Sequence, residues 1–183
     1  MLTRISIVLI TLGCMQISQS AKRAVGLKLY NFTCTPYSNL IVDYACTLKK
    51  WSNTEYAYST MFKLRHQLSK NAEVEILLDA KPSTGKNLMK LIRIRISICE
   101  ALNQMFSNPI LKTLMIELFR TTNLPYACPI NGNYMYNATD CIISDDLVPS
   151  YLVNLQFNFT VNFLENRRRF VELLIRGATV RKK

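Results

Sequence analysis

The chain has 183 residues, 49% of them hydrophobic, and carries 23 lysines and arginines against 12 acids for a formal net charge of +11. That apolar content excludes a disordered polyelectrolyte, and the length suits one domain with a sizeable core. One histidine, His66, leaves little room for imidazole chemistry, while six cysteines direct attention to disulfides.

The opening segment, MLTRISIVLITLGCMQISQS, joins Arg4 to an apolar run from Ile5 to Leu12 and sets Ser18 and Ser20 ahead of Ala21. This is the pattern of a secretory signal peptide over residues 1–20, since the run falls well short of the ~20 residues a membrane-spanning helix needs. Cleavage after Ser20 removes Arg4 and no acid, which leaves +10 on residues 21–183. The expectation is one secreted, extracellular domain that does not span a membrane.

Cys14 departs with the signal, and Cys34, Cys46, Cys99, Cys128 and Cys141 remain. In an oxidising compartment they read as two disulfides, of open connectivity, plus one odd thiol. No C-x-x-C pair exists, so neither a metal site nor another cofactor is expected. Sequons at Asn31, Asn137 and Asn158 agree with the secretory route and are candidate glycosylation sites.

Leu27 to Thr33 and Ile41 to Leu48 read as strands around a turn at Thr35–Asn39, and Tyr56, Tyr58, Thr60, Phe62 and Leu64 continue at strand period through Thr54 to His66. Val74, Ile76 and Leu78 form another strand, ended by a turn from Lys81 to Lys86. The return strand sends Ile92, Ile94, Ile96 and Ile98 to one face and Arg93, Arg95 and Ser97 to the other, because side chains alternate across a pleat. β-Branched residues at this density disfavour helix.

From Cys99 to about Arg120 the period changes. Leu102, Met105, Phe106, Ile110, Leu114, Leu118 and Phe119 recur at spacings of three and four, which predicts one helical insertion, or two helices broken near Asn108-Pro109. Alternation returns in Val153, Leu155, Phe157, Phe159, Val161 and Phe163, and a polar turn at Glu165-Asn166-Arg167 leads to a last strand from Arg169 to Val180. Seven or eight one-sided strands with a single helical insertion predict a mainly β antiparallel sandwich.

Catalysis is not expected. A nucleophilic triad would have to be built on His66, placed in a strand beside Arg65, and adjacent Asp145 and Asp146 point to opposite faces of an extended chain. The later strands and tail gather Arg93, Arg95, Arg167, Arg168, Arg169, Arg176, Arg181, Lys182 and Lys183. They permit a cationic extracellular module that binds sulfated glycans or an acidic receptor surface with no internal ligand. No nucleic-acid motif accompanies them. Composition and period leave open whether the isoleucine or the arginine side of the ribbon does the work.

Cys99, the helix after it, Asn123-Leu124-Pro125-Tyr126-Ala127-Cys128-Pro129, Leu147-Val148-Pro149-Ser150-Tyr151 and the Leu155–Phe163 strand together resemble an insect-expanded family of uncharacterised secreted proteins. That family is assigned to the ML, or MD-2-related lipid-recognition, superfamily. Asn31-Phe32-Thr33-Cys34 and Tyr44-Ala45-Cys46 are similar to it as well, whereas Cys141 is extra and Ser150 stands where glycine is common. The resemblance implies an immunoglobulin-like sandwich, disulfides Cys34–Cys46 and Cys99–Cys128, and Cys141 either free or bridged to a second chain. It also implies a small apolar ligand, such as a fatty acid, sterol, glycolipid tail or pheromone-like hydrocarbon, held between two sheets in a chemosensory role. The expected lining is Ile92, Ile94 and Ile96 on one strand with Leu155, Phe157, Phe159 and Val161 on another.

Overall fold

A computed structural model describes residues 25–83, 85, 87–107, 120–145, 148 and 154–182. The expected signal peptide, residues 108–119 of the expected helical stretch, and Leu147, Pro149, Ser150 and Tyr151 of the proline-tyrosine segment lie outside these residues.

Two antiparallel sheets form a sandwich. In chain order the elements are β1 (Val25–Pro36), β2 (Ile41–Lys50), β3 (Glu55–Leu64), β4 (Glu73–Pro82), β5 (Met89–Ser97), α1 (Ile98–Ser107), β6 (Met135–Ser144), β7 (Leu155–Glu165) and β8 (Arg168–Arg181). The larger sheet runs β1-β8-β7-β4-β5 and the smaller β2-β3-β6. The helix follows β5 without a loop, with Ser97 Oγ 3.5 Å from the Glu100 amide at its first turn, a serine at the position where its hydroxyl serves orphan amides.

His66 lies beyond the end of β3 rather than inside it. The backbone there passes close against Gly132, where a Cβ would stand 2.4 Å from the Cα of His66, so that only glycine fits. The strand β6 escapes a simple period reading for a related reason. Between the pairs Tyr58↔Cys141 and Thr60↔Ala138 it carries one residue more than β3, and Asp140 absorbs the bulge at φ 50. Ser59 Oγ donates to the Asp140 carboxylate at 3.3 Å and accepts from its amide at 2.9 Å, so the bulge is held by its own hydrogen bonds.

The β7–β8 hairpin closes through Asn166 and Arg167, with φ 50 and 64, between the paired residues Glu165 and Arg168. Two left-handed residues make the type I′ turn whose twist matches its strands.

Two apolar clusters fill the sandwich. One joins Leu40, Ile41, Leu64, Ala72, Tyr136 and Val171 near the start of α1; the other joins Leu27, Leu29, Phe32, Tyr56 and Ile175. At the far end of the second, Asp145 is only 4% exposed. Its Oδ1 accepts from the Leu27 amide at 2.7 Å, and Oδ2 lies 2.7 Å from Lys182 Nζ. One carboxylate thus fastens the free edge of β1 and the end of β8 to the end of β6.

Asp145→Ala leaves the buried Leu27 amide unsatisfied and is expected to cost about 1–3 kcal/mol in urea unfolding, with Asp145→Asn costing less because it keeps the acceptor. Arg167→Gly removes a side chain from a left-handed position and should raise stability by up to about 1–2 kcal/mol in the same assay; an unchanged midpoint would contradict the turn assignment.

Candidate functional site

Cross-strand register builds the site. On the inner face of the larger sheet one row runs Cys34, Leu173, Val161, Ile76, Ile94 from β1 to β5. A parallel row runs Phe32, Ile175, Phe159, Leu78, Ile92, and a third runs Pro36, Val171, Phe163, Val74, Ile96. Every position but the first of one row is apolar through five strands, which gives a single hydrophobic surface.

The smaller sheet covers one side of it. Cys34 is bonded to Cys46 of β2, the Phe32 ring meets Tyr58 of β3 edge-on at 5.5 Å, and residues of both sheets, Phe157, Phe159 and Leu173 of the larger and Leu48, Tyr58 and Ile143 of the smaller, pack against one buried cluster. At this end burial is greatest, with Phe32 at 7% and Val171 at 6% exposed and Cys34, Pro36 and Leu173 half-buried. At the other end the same rows emerge: Ile94 is 48% exposed and Ile96 36%. Among the described residues the inner face is therefore a trough, covered along β1 and β8 and open toward the β5 edge.

All seven residues expected to line a ligand site on sequence grounds fall on this face or its continuation. The expected lining named two strands without saying how they are ordered in the sheets. The β5 and β7 strands belong to one sheet, with β4 between them. Val74, Ile76 and Leu78 of β4 are thus the centre of the surface, and the sequence reading assigned them no role. Their alternation was visible; the strand order that places them between the two expected linings was not. A further residue, Gly177, lets Phe157 take its place, because a Cβ there would stand 2.7 Å from Phe157 Cζ and 2.8 Å from the Lys28 carbonyl.

Arg93 and Arg95 face the other way and are occupied. Arg93 donates to Asp79 at 3.0 Å, and Arg95 Nε lies 3.5 Å from Glu73. Nearby, Arg169 contacts Glu172 and stacks 3.9 Å over the Tyr37 ring. These are solvent-side pairs of small individual worth.

A separate concavity of about 200 Å³ lies where β5 runs into α1, lined by Leu68, Ser69, Ala72, Ile98, Cys128 and Ile130 among others. The second disulfide, Cys99–Cys128, forms part of its wall. His66 is exposed, with Nδ1 2.9 Å from the Gln67 carbonyl. Among the described residues no group of three or more histidines, cysteines or acids is placed to hold a metal, and no helix is long and apolar enough to cross a membrane.

Both expected disulfides are present. Cys141 is a free thiol at 5% exposure, with Thr121 Oγ1 3.1 Å from its sulfur. That burial disfavours the alternative of a bridge to a second chain, which needs an accessible sulfur.

Residues 74–159, from the inner face of β4 to the middle of β7, match the model of an uncharacterised family described as "Protein of unknown function (DUF1091)". No curated protein matches the chain. Among solved structures the E. coli curli protein CsgC is similar at 10% identity, over 72% of this chain and 97% of that one, with a TM-score of 0.31.

Burial raises the pKa of the Tyr58 phenol above its ordinary 10.0, and the neighbouring Cys141 raises it further. The unfolded chain loses this proton at lower pH than the folded one, so the contribution is intact below pH 10 and stability falls as pH rises beyond it. Tyr58→Phe should flatten that alkaline loss in denaturation midpoints measured between about pH 9 and 11; an unchanged slope would show that the phenol is not the group responsible.

Proposed function

We propose that the chain is a secreted, non-enzymatic carrier or sensor of a small apolar molecule that lies along the inner face of the larger sheet. The observation that carries this reading is the exposure of inner-face isoleucines at β5. Ile94 and Ile96 stand 48% and 36% exposed and so forfeit part of the about 1.5–3 kcal/mol that full burial of each is worth, which a ligand seated against them recovers in part. The resemblance to the ML superfamily supports the same class of ligand, as do the two disulfides and the apolar signal-like segment for an extracellular setting. The exposed loop position of His66 supports a binding role over hydrolysis.

The cationic-module alternative is less well supported. Arg93, Arg95 and Arg169 each meet a carboxylate, so a polyanion would have to displace an existing partner at each. The trough asks for nothing to be displaced except water.

A sixteen-carbon chain supplies roughly 13 kcal/mol of gross transfer energy at ~0.8 per methylene. Association and ordering remove about 5 of this, which corresponds to a dissociation constant of about 1 µM. Displacement of a fluorescent fatty acid, together with mass spectrometry of organic extracts from the secreted protein, tests the reading. Ile94→Glu, at a position exposed enough to tolerate charge in the fold, is expected to weaken binding by at least about tenfold (~1.4 kcal/mol). Arg95→Ala, on the opposite face, is expected to leave tail binding within about twofold. No co-purifying lipid and no probe displacement would sink the proposal; equal loss in both variants would move the site off the inner face.

A further inference from the structure

The outer face of the larger sheet carries a second, unrelated arrangement. Arg176 on β8 pairs across the ladder with Asn31 on β1 and with Asn158 on β7, and all three are exposed. Asn31 and Asn158 are the acceptor residues of Asn31-Phe32-Thr33 and Asn158-Phe159-Thr160. In each sequon the middle phenylalanine belongs to the inner-face row, so strand alternation turns the asparagine and its threonine together to the outside. Adjacent strands are about 4.8 Å apart, so the two acceptors stand about 10 Å from each other with Arg176 between them. A sugar attached to either asparagine projects away from the sandwich and disturbs no packed side chain.

We infer that Asn31 and Asn158 are both N-glycosylated, and that the paired carbohydrate covers Arg176 and closes the middle of this face to macromolecular partners. The inference rests on the secretory reading above. Attachment at Asn158 must occur before the sheet forms, since the central strand β7 presents no flexible acceptor loop afterwards; Asn31, on the edge strand β1, stays more accessible. Its consequence is one-sided: carbohydrate stands on the face opposite the apolar trough, and the trough with its β5 rim stays clear. Acidic partners are thereby denied the arginine that no carboxylate in the two flanking strands opposes at that row.

The test is expression of the full chain in a eukaryotic secretory host, with glycopeptide mapping of the secreted product and elution from a heparin column before and after enzymatic removal of N-glycans under native conditions. Mapping should find carbohydrate on both Asn31 and Asn158. Asn31→Gln and Asn158→Gln should each lose the mass of one glycan. Thr33→Ala and Thr160→Ala should do the same while keeping the asparagine, which covers the case of a variant that fails to fold. Deglycosylated protein should elute at higher salt than the glycosylated form, because Arg176 becomes accessible to sulfates. A secreted, disulfide-bonded chain with Asn31 and Asn158 bare overturns the inference and leaves the secretory reading intact. A chain retained in the cell with its leader uncut overturns both. Glycans present at both positions, with no change in elution on their removal, overturn the shielding of Arg176.

Discussion

The bond between Cys34 on β1 and Cys46 on β2 decides which side of the sandwich is shut. It draws the first strand of the larger sheet against the smaller one at a row that continues through Leu173, Val161 and Ile76 to Ile94. Three strands cannot cover five, so a clamp at one edge leaves the opposite edge bare. Had the smaller sheet been centred, the same isoleucines would have been ordinary core. The link closes a loop of 12 residues, and a crosslink of that span is worth about 3 kcal/mol in a chain-entropy account. Asp145 reinforces the same side through Leu27 and Lys182, so both fastenings lie away from the open rim.

A sheet that is tight on one side and loose on the other has a gradient of local stability. The β1–β8–β7 half carries the buried rows, while the β4–β5 half is held by ladder hydrogen bonds and by the anchor where Ile98 donates to the Ala72 carbonyl at 2.9 Å. Segments with fewer buried apolar contacts open at lower free energy. An entering ligand therefore meets the part of the structure that yields most readily, while the disulfide-bound half keeps its register. The Cys99–Cys128 bond limits that yielding by holding the start of α1 to the segment before β6.

Much of this was legible in the sequence. The strand β5 announces itself because β-branched residues at period 2 have no competing helical reading, and the polar turn at Asn166 declares the last hairpin. Local chemistry was enough in both cases. What escaped was non-local. Nothing in the order of residues says that β7 returns beside β4, so the two expected linings carried no strand order until the sheet placed β4 between them. The strand β6 hid behind the extra residue at Asp140, which shifts the alternation of Tyr136 and Ala138 by one place before Cys141. The arginines illustrate the same limit. Their side of the ribbon could be read from alternation, but their partners Asp79 and Glu73 could be known only once β4 was placed beside them.

Among the described residues β5 is an edge strand, and an edge raises a hazard common to open sheets, since unpaired backbone groups invite another strand. The arginines that grip no ligand meet this hazard. Two copies approaching antiparallel about Ile94 would set Arg93 of each against Arg95 of the other, and the register shift beside Leu78 interrupts the regular ladder a few residues further on. Like charges directly opposite are unfavourable across a strand pair. A molecule with a greasy trough in water thus carries, on the strand that borders it, features that disfavour extension of its own sheet into a fibre.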